Sequence, residues 1–127
     1  VDTTKENSRL IMVLEDIEET RDGIEELLKA GGYRVAPVRS AEDAILKVKQ
    51  QQPDLMLVSL PGPTDELIQV ANQIRQDAGL NEDVPIVIFC IEEVATGEEV
   101  AIGDNVYLTR LDNFNQLRRF MHRLLKE

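Results

Sequence analysis

The stretch DLMLVSLPGP, Asp54 to Pro63, is apolar without a break from Leu55 to Val58, reaches Ser59, and then turns through Pro61, Gly62 and Pro63. Such a run between turn residues predicts a strand buried on both faces, as in parallel sheets covered by helices. LIMVL, Leu10 to Leu14, and PIVIFCI, Pro85 to Ile91, have the same character. A buried strand that ends on a hydroxyl, at the edge where open α/β sheets keep their ligands, raises the question of function.

The intervening segments read as helices and two more strands. Glu18 to Ala30 carries Ile24, Leu27 and Leu28 at helical spacing and stops at Gly31-Gly32. YRVAPV, Tyr33 to Val38, predicts a second strand, which Pro37 confines to the sheet edge unless it ends the strand. Ser40 is an N-cap with Asp43 three residues on, and Ala41, Ala44, Ile45 and Val48 form the apolar face behind it. Thr64 or Asp65 caps the next helix, with Leu67, Ile68, Ala71 and Ile74 inward, and Asp77 to Asp83 reads as a polar loop. Glu92 to Gly103 predicts a short helix built on Val94, Val100 and Ala101, interrupted by Gly97. NVYLTR, Asn105 to Arg110, reads as a fifth strand. Asn113 to Lys126 reads as a final amphipathic helix with Phe114, Leu117, Phe120, Met121, Leu124 and Leu125 on one side.

Five β-α units in succession predict an α/β, (βα)5 flavodoxin-like three-layer sandwich around a parallel five-stranded sheet of order 2-1-3-4-5. The order reverses between strands 1 and 3, so the crevice gathers Glu15, Asp16 and Ser59, with Cys90 and Arg110 beside them.

The 127 residues suffice for one domain, expected over 10–127 behind a polar arm at 1–9. Hydrophobic residues at 43% and charged ones at 30% describe an ordinary globular composition. The net charge of −10, from 24 acidic and 14 basic residues, argues against nucleic acid and anionic membranes as partners. One cysteine, Cys90, allows neither an internal disulfide nor a cysteine-based zinc site. No apolar run reaches membrane-spanning length and no basic-then-apolar leader opens the sequence, so the expected location is cytoplasmic. The start at Val1 suggests a piece of something longer. Ser59 lacks the Gly-x-Ser-x-Gly setting of a hydrolase nucleophile, because Leu57 stands where the first Gly belongs. The single histidine, His122, sits between Arg119 and Arg123 as a surface residue would. An enzyme is not expected.

From about Leu10 to Leu125 the sequence resembles a receiver domain of bacterial two-component response regulators, of the chemotaxis-regulator type. The pieces that match are Glu15-Asp16 after the first strand, the PDLMLV strand with Pro63 four residues past Ser59, and Tyr107 and Arg110 in YLTR. The resemblance implies an aspartate at the position of Ser59 that accepts a phosphoryl group from a histidine kinase, and Mg²⁺ held by that aspartate and the acidic pair. It also implies a Thr or Ser hydroxyl at the position of Cys90 and a Lys at that of Arg110, both contacting the phosphoryl group. Tyr107 takes the place of the aromatic switch residue. Where the family usually has Pro after the Lys, this chain has Leu111.

The substitutions converge. A carboxylate attacks phosphorus as it stands, whereas a serine hydroxyl needs a base and would give a stable ester. Mg²⁺ favours charged oxygens, so Glu15 and Asp16 without a third acid should hold it weakly. A thiol at Cys90 is a poor donor to phosphoryl oxygens. Arg110 is expected to neutralise Glu15-Asp16 with forked hydrogen bonds and close a metal-free site. The resemblance then implies an atypical, phosphorylation-independent receiver that acts through contacts with a histidine kinase or an output domain. A homodimer is expected through the face used by the family, pairing Glu98, Glu99 and Asp104 with Arg118, Arg119 and Arg123 across a two-fold axis. Two alternatives stand beside this: a receiver competent for phosphorylation through an unusual acceptor, and a flavin or small-ligand module on the same fold. The acidic EDIEET after strand 1 opposes the flavin alternative, since it would repel phosphate.

Overall fold

The computed structural model describes residues 8–89, 98–110 and 114–126. Its strands are β1 (Leu10–Glu15), β2 (Arg34–Val38), β3 (Leu55–Ser59), β4 (Ile86–Phe89), β5 (Glu99–Gly103) and β6 (Val106–Thr109). Its helices are α1 (Glu18–Ala30), α2 (Ala41–Gln50), α3 (Thr64–Ala78) and α4 (Phe114–Leu125). The sheet runs β2-β1-β3-β4-β6-β5. β2, β1, β3, β4 and β6 are parallel, in the order expected for five βα units, and β5 adds an antiparallel strand at the outer edge.

The apolar runs are continuous because alternate residues go to opposite helical layers. Met12, Leu14, Met56, Val58, Ile86 and Ile88 pack with Ala44 and Val48 of α2 and Leu67, Ala71 and Ile74 of α3. Ile11, Val13, Leu55, Leu57 and Val87 pack on the other side with Leu28 of α1 and Leu117, Phe120 and Met121 of α4. Pro37 lies in β2, opposite Val13, where an edge strand tolerates the missing N–H. The Ser40 hydroxyl accepts from the Asp43 N–H at 3.1 Å and starts α2 as its sequence predicts. α3 differs at its start: Thr64 is its first residue and Pro63 its N-cap, because an extended Pro supplies the entry without a side-chain bond. It also runs to Ala78, further than expected, and Gly79 ends it at φ 67°.

The short helix expected over Glu92 to Gly103 is corrected by β5. Val100 pairs with Leu108 and Ala101 with Tyr107 in an antiparallel ladder, so the C-terminal part of that segment is strand. Residues 90–97 lie outside the described residues, and the reading there of Cys90, Val94 and Gly97 with them. What makes the strand is the turn that follows. Asp104 and Asn105 stand at φ 53° and 60°, the pair of left-handed residues that a two-residue hairpin requires. Short polar side chains reach that conformation at least cost.

One arginine ties this hairpin to the rest of the fold. Arg75 of α3 donates to the carbonyls of Asn81 at 2.8 Å, Val84 at 3.0 Å and Asn105 at 3.3 Å. Burial lowers its pKa from the usual range, while Asp104 and Glu82 oppose that shift.

Candidate functional site

At the C-terminal edge of the sheet, β1 and β3 run side by side with Glu15 opposite Ser59. Neighbouring strands are about 4.8 Å apart, so the two side chains have no choice but to meet. The Ser59 hydroxyl donates to Glu15 Oε1 at 2.8 Å. The other carboxylate oxygen, Oε2, accepts from the Ile17 N–H at 3.1 Å, at the N-cap of α1. Arg21 reaches back from α1 and donates Nη1 to the Glu15 carbonyl at 2.8 Å. Glu15 is 4% exposed, and each of its carboxylate oxygens has a hydrogen-bond donor.

Asp16, next in sequence, is exposed, as is Arg110 beyond the end of β6. β6 is three strands over from β1, about 14 Å away at that spacing. Among the described residues the hydrogen bonds to the Glu15 carboxylate come from Ser59 and Ile17. Cys90 and Leu111 lie outside the described residues. The geometry brings Glu15 and Ser59 together, with Asp16 beside them, and adds Arg21, which the sequence reading had missed. Its only sequence signal was a basic side chain in the first turn of a helix, where acids are usual.

Tyr107 is half-buried, packs edge-on against Phe120 with ring centroids 5.8 Å apart, and donates its hydroxyl to Asn105 Oδ1 at 2.9 Å. Its hydroxyl is thus held at the hairpin turn. Of the residues expected at a two-fold interface, Glu99 and Arg123 form an ion pair within one chain, which joins β5 to α4. Glu98, Asp104, Arg118 and Arg119 are exposed. A cleft of about 820 Å³ at the opposite end of the strands is lined by Arg9, Asp54, Asp83, Asn105 and Tyr107 among others, and does not reach Glu15 or Ser59.

The donor set at the edge fits Mg²⁺ poorly. It offers one buried carboxylate whose two oxygens already accept hydrogen bonds, one exposed carboxylate, and a neutral hydroxyl. Mg²⁺ sheds water reluctantly and needs charged oxygens held ready.

Comparison with known proteins agrees with the topology. The response regulator receiver domain model matches residues 11–119. The chain belongs to the response regulator receiver family. This receiver domain is 26% identical to the transcriptional regulatory protein KdpE of Staphylococcus aureus, over 91% of the chain and 51% of that protein. It is 28% identical to the transcriptional regulatory protein AfsQ1 of Streptomyces coelicolor, over 61% of the chain and 38% of that protein. The chain thus spans about half or less of the length of these relatives. Among solved structures it is similar to the response regulator TrrA of Thermotoga maritima in complex with Mg²⁺ and BeF, with a TM-score of 0.68 and 20% identity. That match covers 91% of this chain and 98% of the other. The complex of the histidine kinase ThkA with TrrA also matches, with a TM-score of 0.71, 21% identity, and coverage of 92% and 98%. The receiver fold and a place in two-component signalling follow from the family. Among the described residues no helix is long and apolar enough to cross a membrane.

Proposed function

We propose that this receiver domain signals through protein contacts without phosphorylation of an aspartate, and that Ser59 and Glu15 hold it in one state. The observation that carries this reading is the 2.8 Å bond from the Ser59 hydroxyl to Glu15 Oε1. In a competent receiver the acceptor and the acidic pair are carboxylates side by side, and a cation must balance them. Serine removes one of those three charges and donates to Glu15, so the buried carboxylate is held by hydrogen bonds with no metal and no phosphoryl group. The domain is then a non-enzymatic, cytoplasmic module. Its partner is a histidine kinase or an output domain, as TrrA is found with ThkA.

The same bond supports a second reading, in which Glu15 takes the hydroxyl proton and Ser59 becomes an ester-forming acceptor. A phosphoserine there would place its charge against the Glu15 carboxylate, which makes this the lesser reading. Labelled phosphate from an autophosphorylated histidine kinase, offered with Mg²⁺, separates the two. The proposal expects no label on the domain; a stable label on Ser59 would replace it with the second reading.

A further inference from the structure

β5 ends the sheet, and among the described residues nothing pairs with its outer side. The Arg110 N–H donates to the Glu98 carbonyl across the β5–β6 ladder. Alternation along an antiparallel pair then turns Val100 towards β6 and leaves the N–H and C=O of Glu99 and Ala101 pointing outward. Most edge strands are protected by Lys, Pro or a covering helix. This one carries neither Lys nor Pro, and exposes two β-branched side chains, Val100 at 41% and Ile102 at 37%. The irregular register between Ala101 and Gly103 bends its far end, so Glu98 to Ala101 is the part that can accept a partner.

Charge selects the occupant. Exposed Glu98 lies at one end of the strand and exposed Asp104 at the other, where Glu82 and Asp104 line one cleft with Arg75. A second copy laid antiparallel about Ala101 would set Glu98 against the partner's Asp104, between two chains that each carry a net charge of −10. We propose that β5 is a docking edge for an extended segment of a partner protein with alternating apolar residues and Lys or Arg at its ends. Main-chain bonds to Glu99 and Ala101 would hold it, Val100 would meet its apolar side chains, and the flanking acids would fix its register. The surface deepens the reading of the domain as a contact module. Because it is read at edge amides and not at Ser59, the two readings fail separately.

The test uses a synthetic peptide of alternating Val and Thr with a Lys at each end, and a control with Glu in place of both Lys. Amide exchange by NMR on the labelled chain should slow at Glu99 and Ala101 when the Lys peptide is added. The Glu peptide should bind at least about tenfold more weakly, roughly 1.4 kcal/mol. Ala101→Pro removes an outward donor while sparing the ladder to β6, and should weaken the Lys peptide by a similar factor; if that variant does not fold, the amide protection decides alone. Equal binding of the two peptides, or protection elsewhere with Glu99 and Ala101 unchanged, would overturn the proposal. So would a dimer in sedimentation that protects those amides without any peptide, which would make a second copy the occupant.

Discussion

Ser59 and Glu15 face one another across the β1–β3 register, and the serine hydroxyl donates to the buried carboxylate at 2.8 Å. That relationship answers why a strand buried on both faces ends on a hydroxyl. A carboxylate 4% exposed needs a donor, and the neighbouring strand supplies one that brings no second charge.

Ser59→Asp tests this directly. It sets two carboxylates on adjacent strands at the same level, with Asp16 nearby, and like charges so placed destabilise the fold unless a cation joins them. Without metal the variant is expected to melt about 3–10 °C lower, as a loss of about 1–3 kcal/mol would give. Millimolar Mg²⁺ should recover much of that loss in the variant and move the unsubstituted chain by about 1 °C or less. Thermal melts with and without Mg²⁺ check it; an equal response of both proteins would contradict it.

The strength of the bond is measurable by a double-mutant cycle on Ser59→Ala and Glu15→Ala, each of which removes one partner. A hydrogen bond to a charged group contributes about 1.5–3 kcal/mol, so the coupling should fall in that range and far above that of an exposed pair. Urea unfolding of the four proteins gives the value, and a coupling near zero would mean that the bond is incidental.

The parallel core was legible because its signals are local. Unbroken apolar runs gave β1, β3 and β4, and apolar spacing gave the helices, of which α1, with its Gly31-Gly32 stop, falls on its expected bounds. The hairpin was missed because Val100 and Ala101 suit a helical face as well as a strand. The deciding signal, Gly103-Asp104-Asn105, lies in the turn after them. At the site, chain order placed Glu15 beside Ser59, but the bond between them follows from the register of β1 with β3, which no local signal carries.

The turn makes its own prediction. Asn105 stands at φ 60°, accepts from the Tyr107 hydroxyl and donates to the Glu82 carbonyl at 3.1 Å. Asn105→Ala should cost about 2 kcal/mol, through the left-handed backbone and the lost bonds together. Asn105→Gly keeps the backbone at ease and should recover about 1 kcal/mol of it. Denaturant midpoints of the two variants give the difference, and identical midpoints would show that backbone conformation at this position contributes nothing.

Arg75 is the clamp between α3 and that turn, with three carbonyl partners. Arg75→Met should cost about 2–3 kcal/mol because those carbonyls lose a charged donor. Arg75→Lys should restore less than half of it, since an ammonium cannot fork to partners spread over Asn81, Val84 and Asn105. Full rescue by Lys would mean that charge, and not geometry, is what the position supplies.

If this pocket keeps the receiver shape without its phosphoryl chemistry, as we propose, intact-mass spectrometry after incubation with acetyl phosphate and Mg²⁺ will find no adduct. The chain should keep its mass under conditions in which the Ser59→Asp variant gains a phosphoryl group. A phosphoryl group covalently bound to the unsubstituted chain at Ser59, Glu15 or Asp16 would contradict it.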